Sequence, residues 1–258
     1  MSAGCEQEHK IRGAVIIPAL NEADNLPSLL EQLKAVMPTL AGGFEVVVVD
    51  DGSQDETARV ARDRGAIALR HPCNLGYGAA VGTGLRYAAR QGYRLVALMD
   101  ADGQHDPADL PTIIEPILRG QADVVIGCRF LRPLAYRPGL ARRVGMALFS
   151  RLASWLAGAR VRDTTSGFQA LDRCALEFLC EDYPADFPDA QVLVMLHRRG
   201  FRVAEVPITV RARASGVSMH SFWSAFGYPA RMMLALAVAM LRLLLVRAQL
   251  RNERREGT

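Results

Sequence analysis

Short apolar runs alternate with amphipathic segments along the first half of the chain. The runs predict buried strands at residues 14–17, 44–49, 66–69, 95–99 and 122–126. The segments between them predict helices over residues 21–37, 55–64, 78–90 and 107–118. Strands that are apolar on both faces and alternate with helices are typical of a parallel sheet covered on both sides. The sequence therefore predicts an α/β fold.

Beyond residue 130 the alternation is less regular. The pattern there predicts helices over residues 140–156, 174–180 and 188–199, and a last strand over 201–210. Residues 222–246 are strongly apolar but contain Arg231 and Arg242, so their longest uncharged run has ten residues. A membrane-spanning helix needs about 20. This segment is predicted to lie in a membrane interface, with a packing helix and a spanning segment as the alternatives.

Composition and charge narrow the classes of protein. The chain has 258 residues, is 50% hydrophobic and carries a net charge of +4, which excludes a disordered chain. Residues 200–258 contain nine Arg and three Glu, and this basic end indicates an anionic partner. Apolar neighbours of these arginines favour a membrane over nucleic acid. Five cysteines without a C-x-x-C pair and a polar N-terminus predict a cytoplasmic protein.

Polar residues follow the predicted strands at the edge where parallel sheets bind ligands. Asp100 and Asp102 end the fourth strand, and two carboxylates at this spacing can turn toward one point. Gly103 gives the backbone of this turn conformational freedom. Gln104 and His105 are candidates for additional ligands. Such oxygen-rich sets bind Mg²⁺ or Mn²⁺. A solvated turn is the alternative.

Two further motifs are consistent with a nucleotide site. Asp50, Asp51 and Ser53 end the second strand, where a carboxylate can accept a hydrogen bond from a base or a ribose. Helix capping is the alternative for these residues. The glycine-rich segment 74–80 precedes a predicted helix, so that its amide groups can face a phosphate.

Taken in this order, the motifs resemble those of the family 2 glycosyltransferases with a GT-A fold. The matching segments are Ile17 to Glu22, with Leu20 in place of the usual Tyr, Val49 to Asp55, Asn74 to Ala79, and Asp100 to His105. The resemblance covers about residues 11 to 220. It implies a Rossmann-like, mostly parallel sheet flanked by helices, preceded by a flexible segment at 1–10. An amphipathic, apolar and basic helix would follow at 221–258.

Within that family, the chain is most similar to the polyprenyl-phosphate (dolichyl-phosphate) sugar transferases. The shared segments are Gly127 to Arg129, Ser166 to Phe168, Glu205 to Ile208, and Arg213 to Ser218. Met219 stands where this subgroup usually has Lys, which removes an expected contact to the donor diphosphate. His220 and Arg211 are candidates to replace it.

The resemblance implies an inverting, metal-dependent transfer of a sugar from a GDP- or UDP-sugar to a polyprenyl phosphate at the inner face of the membrane. A hydroxyl acceptor on a cell-envelope glycan or lipid is one alternative. A non-catalytic, nucleotide-binding scaffold recruited to the membrane is an alternative of another class. A receiver domain is excluded because it is about half as long and needs a Lys after its last strand. The sequence does not identify the sugar or the oligomeric state, nor whether a separate membrane protein is a partner.

The resemblance also implies roles for individual residues. The implied donor site consists of Pro18, Leu20, Glu22, Asp50, Asp51, Asn74, Asp100, Ala101, Arg213 and Ser218. The implied metal ligands are Asp100, Asp102 and Gln104. The acceptor phosphate would contact Arg129, Arg143 and Ser166. The catalytic residues would be Asp102, Arg129 and Asp189.

Several acidic residues have alternative interpretations. Asp189 would be a base for a hydroxyl acceptor, orient the sugar for an ionised phosphate, or cap the helix that follows it. Asp163 and Asp172 are expected to be solvated loop acids. Glu205, within an otherwise apolar strand, is expected to pair with an Arg of a neighbouring strand and to take no part in the chemistry.

Overall fold

The computed structural model describes residues 12–131, 162–163, 166–181, 183–184 and 188–211. Strands in these ranges form one sheet. They are β1 (Arg12–Ala19), β2 (Gly43–Asp50), β3 (Ile67–Arg70), β4 (Leu95–Leu98), β5 (Val124–Cys128), β6 (Gln169–Asp172) and β7 (Val203–Pro207). Their order across the sheet is β3-β2-β1-β4-β6-β5-β7. Neighbouring strands are parallel except at β6, which runs antiparallel to both β4 and β5.

Helices cover both faces of this sheet. They are α1 (Leu26–Val36), α2 (Thr57–Asp63), α3 (Tyr77–Arg90), α4 (Leu110–Leu118), α5 (Arg173–Glu181) and α6 (Pro188–Arg198). The central strand β1 shows why two layers form, because successive side chains of a strand point to opposite faces. Val15 and Ile17 pack in the core that contains α1 and α4. Ala14 and Ile16 pack in the core that contains α3, α5 and α6.

The predicted α/β class and its mostly parallel sheet are confirmed, with shifts at the ends of elements. Helix α1 begins at Leu26, later than predicted, and the helix expected from residue 107 starts with a 3₁₀ turn before α4. The last strand is shorter than predicted. Strand β6 was not predicted, because a run of only four residues beyond the regular alternation does not stand out in the sequence.

Three sequence predictions fall outside the described residues. They are the N-terminal segment 1–10, the helix at 140–156 and the C-terminal helix at 221–258. In the part of the chain that the structure describes, no helix is long and apolar enough to cross a membrane.

Asp172 ends β6 and holds the start of α5. Its carboxylate accepts a hydrogen bond of 2.7 Å from the Ala175 backbone N–H, so this acid caps the helix. The expectation of a solvated loop acid is wrong for Asp172. Burial raises its pKa, although the hydrogen bond from Ala175 lowers it in part.

Helix α3 approaches β1 most closely at Gly84. A Cβ added to Gly84 would lie 2.4 Å from Ile16 Cγ2, too close for any real contact. Gly82 lies in the same helix, and a Cβ there would first meet the Arg86 guanidinium at 3.3 Å, at the end of a flexible side chain. The two glycines therefore differ in the space around them, although their helical setting is the same.

We expect Gly84→Ala to lower the free energy of unfolding by about 1–3 kcal/mol, because the added methyl overpacks the contact with β1. Gly82→Ala adds the same methyl to the same helix. It should be neutral or stabilise by up to about 1 kcal/mol, since Ala has the higher helix propensity. Urea unfolding followed by circular dichroism measures both, and equal losses of stability would contradict the close contact.

An ion pair closes the sheet edge where β5 and β7 begin. The Asp123 carboxylate accepts hydrogen bonds from the Arg202 backbone N–H at 2.7 Å, from Nε at 3.1 Å and from Nη2 at 2.5 Å. These hydrogen bonds and the charge of Arg202 lower the pKa of Asp123 from its ordinary value, although partial burial opposes the shift.

A lowered pKa means that this pair stabilises the protein above the ordinary carboxyl pKa of 3.8 and loses its effect as the pH falls through the folded-state value. We expect Asp123→Asn to lower the free energy of unfolding at pH 7. The difference from the wild type should narrow towards pH 3, as measured by urea unfolding at both pH values. A difference that is the same at both would show that the charge of Asp123 does not contribute.

Candidate active site

Residues from three strands meet at the carboxyl edge of the parallel strands. Asp100 follows β4 and Arg129 follows β5. Because β6 runs in the opposite direction, Ser166 and Gly167 precede it at this same edge. A Cβ added to Gly167 would lie 2.4 Å from Asp100 Oδ2, so the missing side chain is what allows the contact. The structure therefore brings together residues that are far apart in the sequence.

Both oxygens of the Asp100 carboxylate have polar neighbours. The Tyr77 hydroxyl donates to Oδ1 at 3.1 Å, and His105 Nε2 lies 3.4 Å from Oδ2. Burial raises the pKa of Asp100, but His105, Tyr77 and the more distant charge of Arg129 outweigh burial, so the pKa is lowered overall. Asp100 is thus an ionised, oriented acceptor.

His105 supports Asp100 from the core. Its ring is buried and stacks against Phe168, with ring centroids 5.1 Å apart. Its Nδ1 atom is buried and has no hydrogen-bond partner among the described residues. Among the described residues its ring pairs with Asp100, so this geometry supports an orienting role better than that of an additional metal ligand.

The turn that follows Asp100 presents a second carboxylate. Asp102 Oδ1 accepts a hydrogen bond of 3.0 Å from the Gln104 backbone N–H, across Gly103 with its φ of +72°. The Gln104 carbonyl accepts from the Arg211 N–H at 2.8 Å, which ties this turn to the chain after β7. In the described ranges, no group of three or more His, Cys, Asp or Glu side chains is placed to hold a metal ion by itself.

This donor set fits a hard cation that brings further ligands with it. Mg²⁺ in proteins is commonly held by one or two carboxylates together with the phosphates of a substrate. Asp100 and Asp102 supply carboxylates at one sheet edge, and the predicted ligand Gln104 is part of the same turn. The residues present therefore suit Mg²⁺ or Mn²⁺ bound jointly with a phosphate.

Asp51 organises the glycine-rich segment instead of pointing into solvent. Its buried carboxylate accepts hydrogen bonds from the backbone N–H groups of Leu75 at 2.9 Å and Gly76 at 2.8 Å. His71 Nδ1 lies 2.7 Å from the same carboxylate, and His71 Nε2 lies 2.9 Å from Thr83 Oγ1 in α3. Asp51 thereby fixes the chain just before Tyr77, which contacts Asp100. Asn74 also participates, since its Oδ1 accepts from Gly76 at 3.0 Å.

Asp50 is also buried, with 1% of its side chain exposed. Its Oδ1 accepts from the Ser53 N–H at 2.9 Å. Its Oδ2 lies 3.2 Å from Arg70 Nε, but the geometry is not that of a hydrogen bond, and this oxygen has no hydrogen-bond partner among the described residues. The predicted contact of Asp50 with a nucleoside would therefore have to use Oδ2.

Side-chain caps join the loops that follow β1 and β2. Ser53 Oγ accepts from the Asn21 N–H, and Asn21 Oδ1 accepts from the Gln54 N–H, both at 2.9 Å. The Glu22 N–H donates to Thr57 Oγ1 at 2.9 Å. Pro18 is buried at the end of β1, and Leu20 is half-buried. Of the predicted donor-site residues, Leu20 and Glu22 lie within the first of these joined loops, and Pro18 and Asp50 lie at the ends of the strands that precede them.

Arg129 is held by a buried acid that the sequence did not single out. Asp163 accepts from the Arg129 backbone N–H at 3.0 Å, from Nε at 2.8 Å and from Nη2 at 2.7 Å. Its side chain is 0% exposed, so the expectation of a solvated acid is wrong. Glu205 accepts from the backbone N–H groups of Arg162 at 2.7 Å and Asp163 at 3.0 Å, and it pairs with the Arg162 guanidinium. Its partner is therefore an Arg outside the described strands.

The structure describes some of the other predicted site residues and not others. Arg143, Arg213, Ser218, Met219 and His220 lie outside the described residues. Asp189 is the second residue of α6. Ala101 and Ser166 are buried. Arg211 contacts Gln32 Oε1 at 2.8 Å and Asp106 Oδ2 at 2.5 Å, so its guanidinium is held by these residues.

Three side chains of the site were missed from the sequence: His71, Tyr77 and Asp163. Tyr77 lies inside a segment whose glycines indicated backbone contacts, and nothing in that pattern pointed to a hydroxyl. His71 follows β3 in the same way that Asp51 follows β2, and this position at a strand end could have identified it. No comparable sequence pattern around Asp163 pointed to its role.

The sequence profile of the family described as Glycosyl transferase family 2 matches residues 14–169, more than half of the chain. The chain belongs to this family. This confirms the resemblance drawn from the four motifs and identifies the protein as a glycosyltransferase with a GT-A fold.

Known proteins similar to this glycosyltransferase extend the comparison. It is 29% identical over 214 residues to the UDP-N-acetylglucosamine–dolichyl-phosphate N-acetylglucosaminyltransferase of Methanococcus voltae, which covers 75% of this chain and 83% of that protein. It is 33% identical over 221 residues to the polyprenol monophosphomannose synthase of Mycolicibacterium smegmatis, with 81% of each covered.

The solved structures support the fold. Glucosyl-3-phosphoglycerate synthase from Mycobacterium tuberculosis, in complex with Mn²⁺, UDP and glucosyl-3-phosphoglycerate, superposes with a TM-score of 0.67 over 90% of this chain and 80% of that one. At 23% identity, this likeness shows a common architecture.

We expect Gly167→Ala to reduce the transferase rate at least about tenfold, because the new methyl would displace Asp100, an acceptor aligned by hydrogen bonds. Gly43→Ala is the matched control, since a Cβ at Gly43 meets nothing within 4 Å. The measurement is release of the nucleotide product, with circular dichroism as a check of folding. A Gly167→Ala enzyme with the wild-type rate would show that the position of Asp100 is unimportant.

Proposed function

We propose that this glycosyltransferase transfers a sugar, with inversion at the anomeric carbon, from a nucleoside diphosphate sugar to the phosphate of a dolichyl-type polyprenyl phosphate. The observation that carries the proposal is the placement of the oriented carboxylate of Asp100 and the guanidinium of Arg129 at one sheet edge. The names of two relatives add support, because one refers to dolichyl phosphate and the other to polyprenol monophosphomannose.

The reaction forms a bond between a phosphate oxygen of the acceptor and the anomeric carbon. The bond from that carbon to the donor diphosphate breaks, and the nucleoside diphosphate leaves with the electron pair. A phosphate monoester is already ionised at neutral pH, so no side chain has to remove a proton before attack. Under this proposal, Asp189 orients the sugar, and Arg129, Arg143 and Ser166 hold the attacking phosphate.

Negative charge accumulates on the leaving diphosphate. Asp102, with Asp100 and Gln104, would hold Mg²⁺ or Mn²⁺, which neutralises that charge when bound. Arg213 and Ser218 are proposed to contact the same diphosphate. The M. tuberculosis synthase of the same architecture was solved with Mn²⁺ and UDP, which favours a divalent cation and a nucleotide in this site as well.

The donor nucleoside is proposed to bind at the joined loops after β1 and β2. Leu20, Glu22 and Asp51 belong to these loops, and Pro18 and Asp50 lie at the ends of the strands that precede them. Asn74 and Ala101 lie in the chain segments after β3 and β4. Leu20 replaces a Tyr that usually stands here, so the contact with the base is aliphatic. UDP and GDP sugars are the two donor classes to be tested.

Membrane association is proposed to come from the C-terminal part of the chain. The catalytic domain would span residues 11–220, and the apolar and basic segment 221–258 would lie at the inner face of the membrane as a peripheral anchor. This places a lipid-linked phosphate within reach of an otherwise water-exposed domain.

We expect UDP or GDP to bind with an affinity that rises when Mn²⁺ is present, and Asp102→Ala to weaken this binding by about tenfold or more, because a charge-assisted ligand of the cation is lost. Isothermal titration calorimetry measures both. Asp63→Ala is the control, since it removes an exposed carboxylate of α2 that pairs with Arg59. Nucleotide binding that is unchanged by Mn²⁺ would contradict the metal-dependent mechanism.

The same protein should convert farnesyl phosphate to a sugar phosphodiester when the correct donor is supplied, as detected by mass spectrometry. The anomeric configuration of the product, determined by NMR, should be opposite to that of the donor. Transfer to a glycan hydroxyl in place of the phosphate would favour the alternative acceptor. A folded protein that binds a nucleotide but transfers sugar to neither acceptor would favour the scaffold.

A further inference from the structure

We infer that Asp163 is a positioning residue, which fixes the plane and the position of the Arg129 guanidinium at the edge of the sheet where the acceptor phosphate is proposed to bind. The inference rests on the proposed function for the identity of that phosphate. It adds a residue that the family motifs did not indicate and gives a reason for its burial.

The contact between the two side chains is a two-point one. Asp163 accepts from Arg129 Nε at 2.8 Å and from Nη2 at 2.7 Å, and it also accepts from the Arg129 backbone N–H at 3.0 Å. Pairing at two points fixes the plane of a guanidinium as well as its position. The side chain of Arg129 is 29% exposed, whereas that of Asp163 is 0% exposed. One partner is thus inside the protein and the other reaches the site.

Burial of Asp163 restricts what Arg129 can do. A carboxylate without access to water needs a partner charge, and removal of that partner is strongly unfavourable. Arg129 therefore has to stay on Asp163 while it binds any other anion. Asp163 holds the edge formed by Nε and Nη2, so the plane of the guanidinium that a phosphate meets is fixed in advance. The ion pair consequently sets the direction of phosphate binding.

A second acid holds Asp163 itself in place. Glu205 lies on β7 opposite Ile126 of β5, and its Oε1 accepts from the Asp163 backbone N–H at 3.0 Å. The support of Arg129 thus runs from β7 through residue 163 to the end of β5. An arginine oriented in advance loses less side-chain entropy when it binds, which favours both affinity and a fixed angle of attack.

The chain contains a matched pair at the other end of the same strand. Asp123 precedes β5 and holds Arg202 through its backbone N–H, Nε and Nη2, the same three donors that Arg129 uses toward Asp163. Asp123→Asn therefore breaks an Arg–Asp pair with the same hydrogen-bond pattern away from the carboxyl edge, although this pair is more exposed than that of Asp163. It controls for the loss of an Arg–Asp contact on β5, and it does not reproduce the burial of Asp163.

The experiment compares the wild type with Asp163→Asn, Arg129→Lys and Asp123→Asn. Calorimetry gives the Kd of farnesyl phosphate and, separately, that of UDP or GDP with Mn²⁺. We expect Asp163→Asn and Arg129→Lys to weaken farnesyl phosphate binding about tenfold or more, with nucleotide binding changed less than about twofold. Asp123→Asn should lower thermal stability and leave both affinities unchanged.

Wild-type affinity for farnesyl phosphate in Asp163→Asn would overturn the inference. Equal loss of nucleotide and farnesyl phosphate binding, the same loss in Asp123→Asn, or no farnesyl phosphate binding by the wild type would also overturn it. If Asp163→Asn does not fold, Arg129→Lys decides, because it keeps a cation beside Asp163 but removes the two-point contact. If Arg129→Lys binds farnesyl phosphate as tightly as the wild type, the inference is refuted.

The two proposals can fail separately. A wild-type protein that binds farnesyl phosphate in this Asp163-dependent way but transfers no sugar to it would refute the proposed function and leave the positioning role intact. A protein that transfers sugar to farnesyl phosphate equally well with Asp163→Asn would refute the positioning role alone.

Discussion

The reversed direction of β6 is the constraint on which the site depends. A strand parallel to β4 and β5 would bring its last residues to their carboxyl edge, whereas β6 brings its first. Ser166 and Gly167 therefore lie beside Asp100 and Arg129. The contact also requires glycine at 167, because the Asp100 carboxylate occupies the space where a Cβ would be. Sheet topology and one missing side chain together bring the ends of three strands into one site.

Buried carboxylates determine how the loops at this edge are arranged. Asp51 and Asp163 both accept hydrogen bonds from backbone N–H groups and from a basic or imidazole side chain. Buried polar backbone groups need such partners, so each acid fixes the loop that it contacts. Asp51 acts on the site indirectly, by holding the segment before Tyr77, whose hydroxyl contacts Asp100. An acid that follows a strand can thus shape a site through the backbone that it holds.

The sequence predicted the fold well because its strands are nearly continuous apolar runs, and their polar ends marked the binding edge. Asp100, Asp102 and Arg129 could be identified in this way. Strand β6 could not, since it has four residues and lies beyond the regular alternation. Asp163 and Tyr77 could not either, because their roles come from contacts over 34 and 23 residues of sequence. Local patterns carry no information about such pairings, which depend on the reversed strand.

The charges of the described residues at this edge agree with the proposed divalent cation. Arg70, Arg129 and Arg211 each have an aspartate partner, namely Asp50, Asp163 and Asp106. These three pairs contribute no net charge, and Asp100 and Asp102 add negative charge beside them. The described part of the edge would therefore repel a polyanionic donor, and a divalent cation would offset both carboxylates. The same balance makes the orientation of the Arg129 guanidinium more important than its charge. Because Asp163 already neutralises this guanidinium, it attracts a phosphate mainly through the geometry of its hydrogen bonds. The buried carboxylate of Asp163 fixes that geometry.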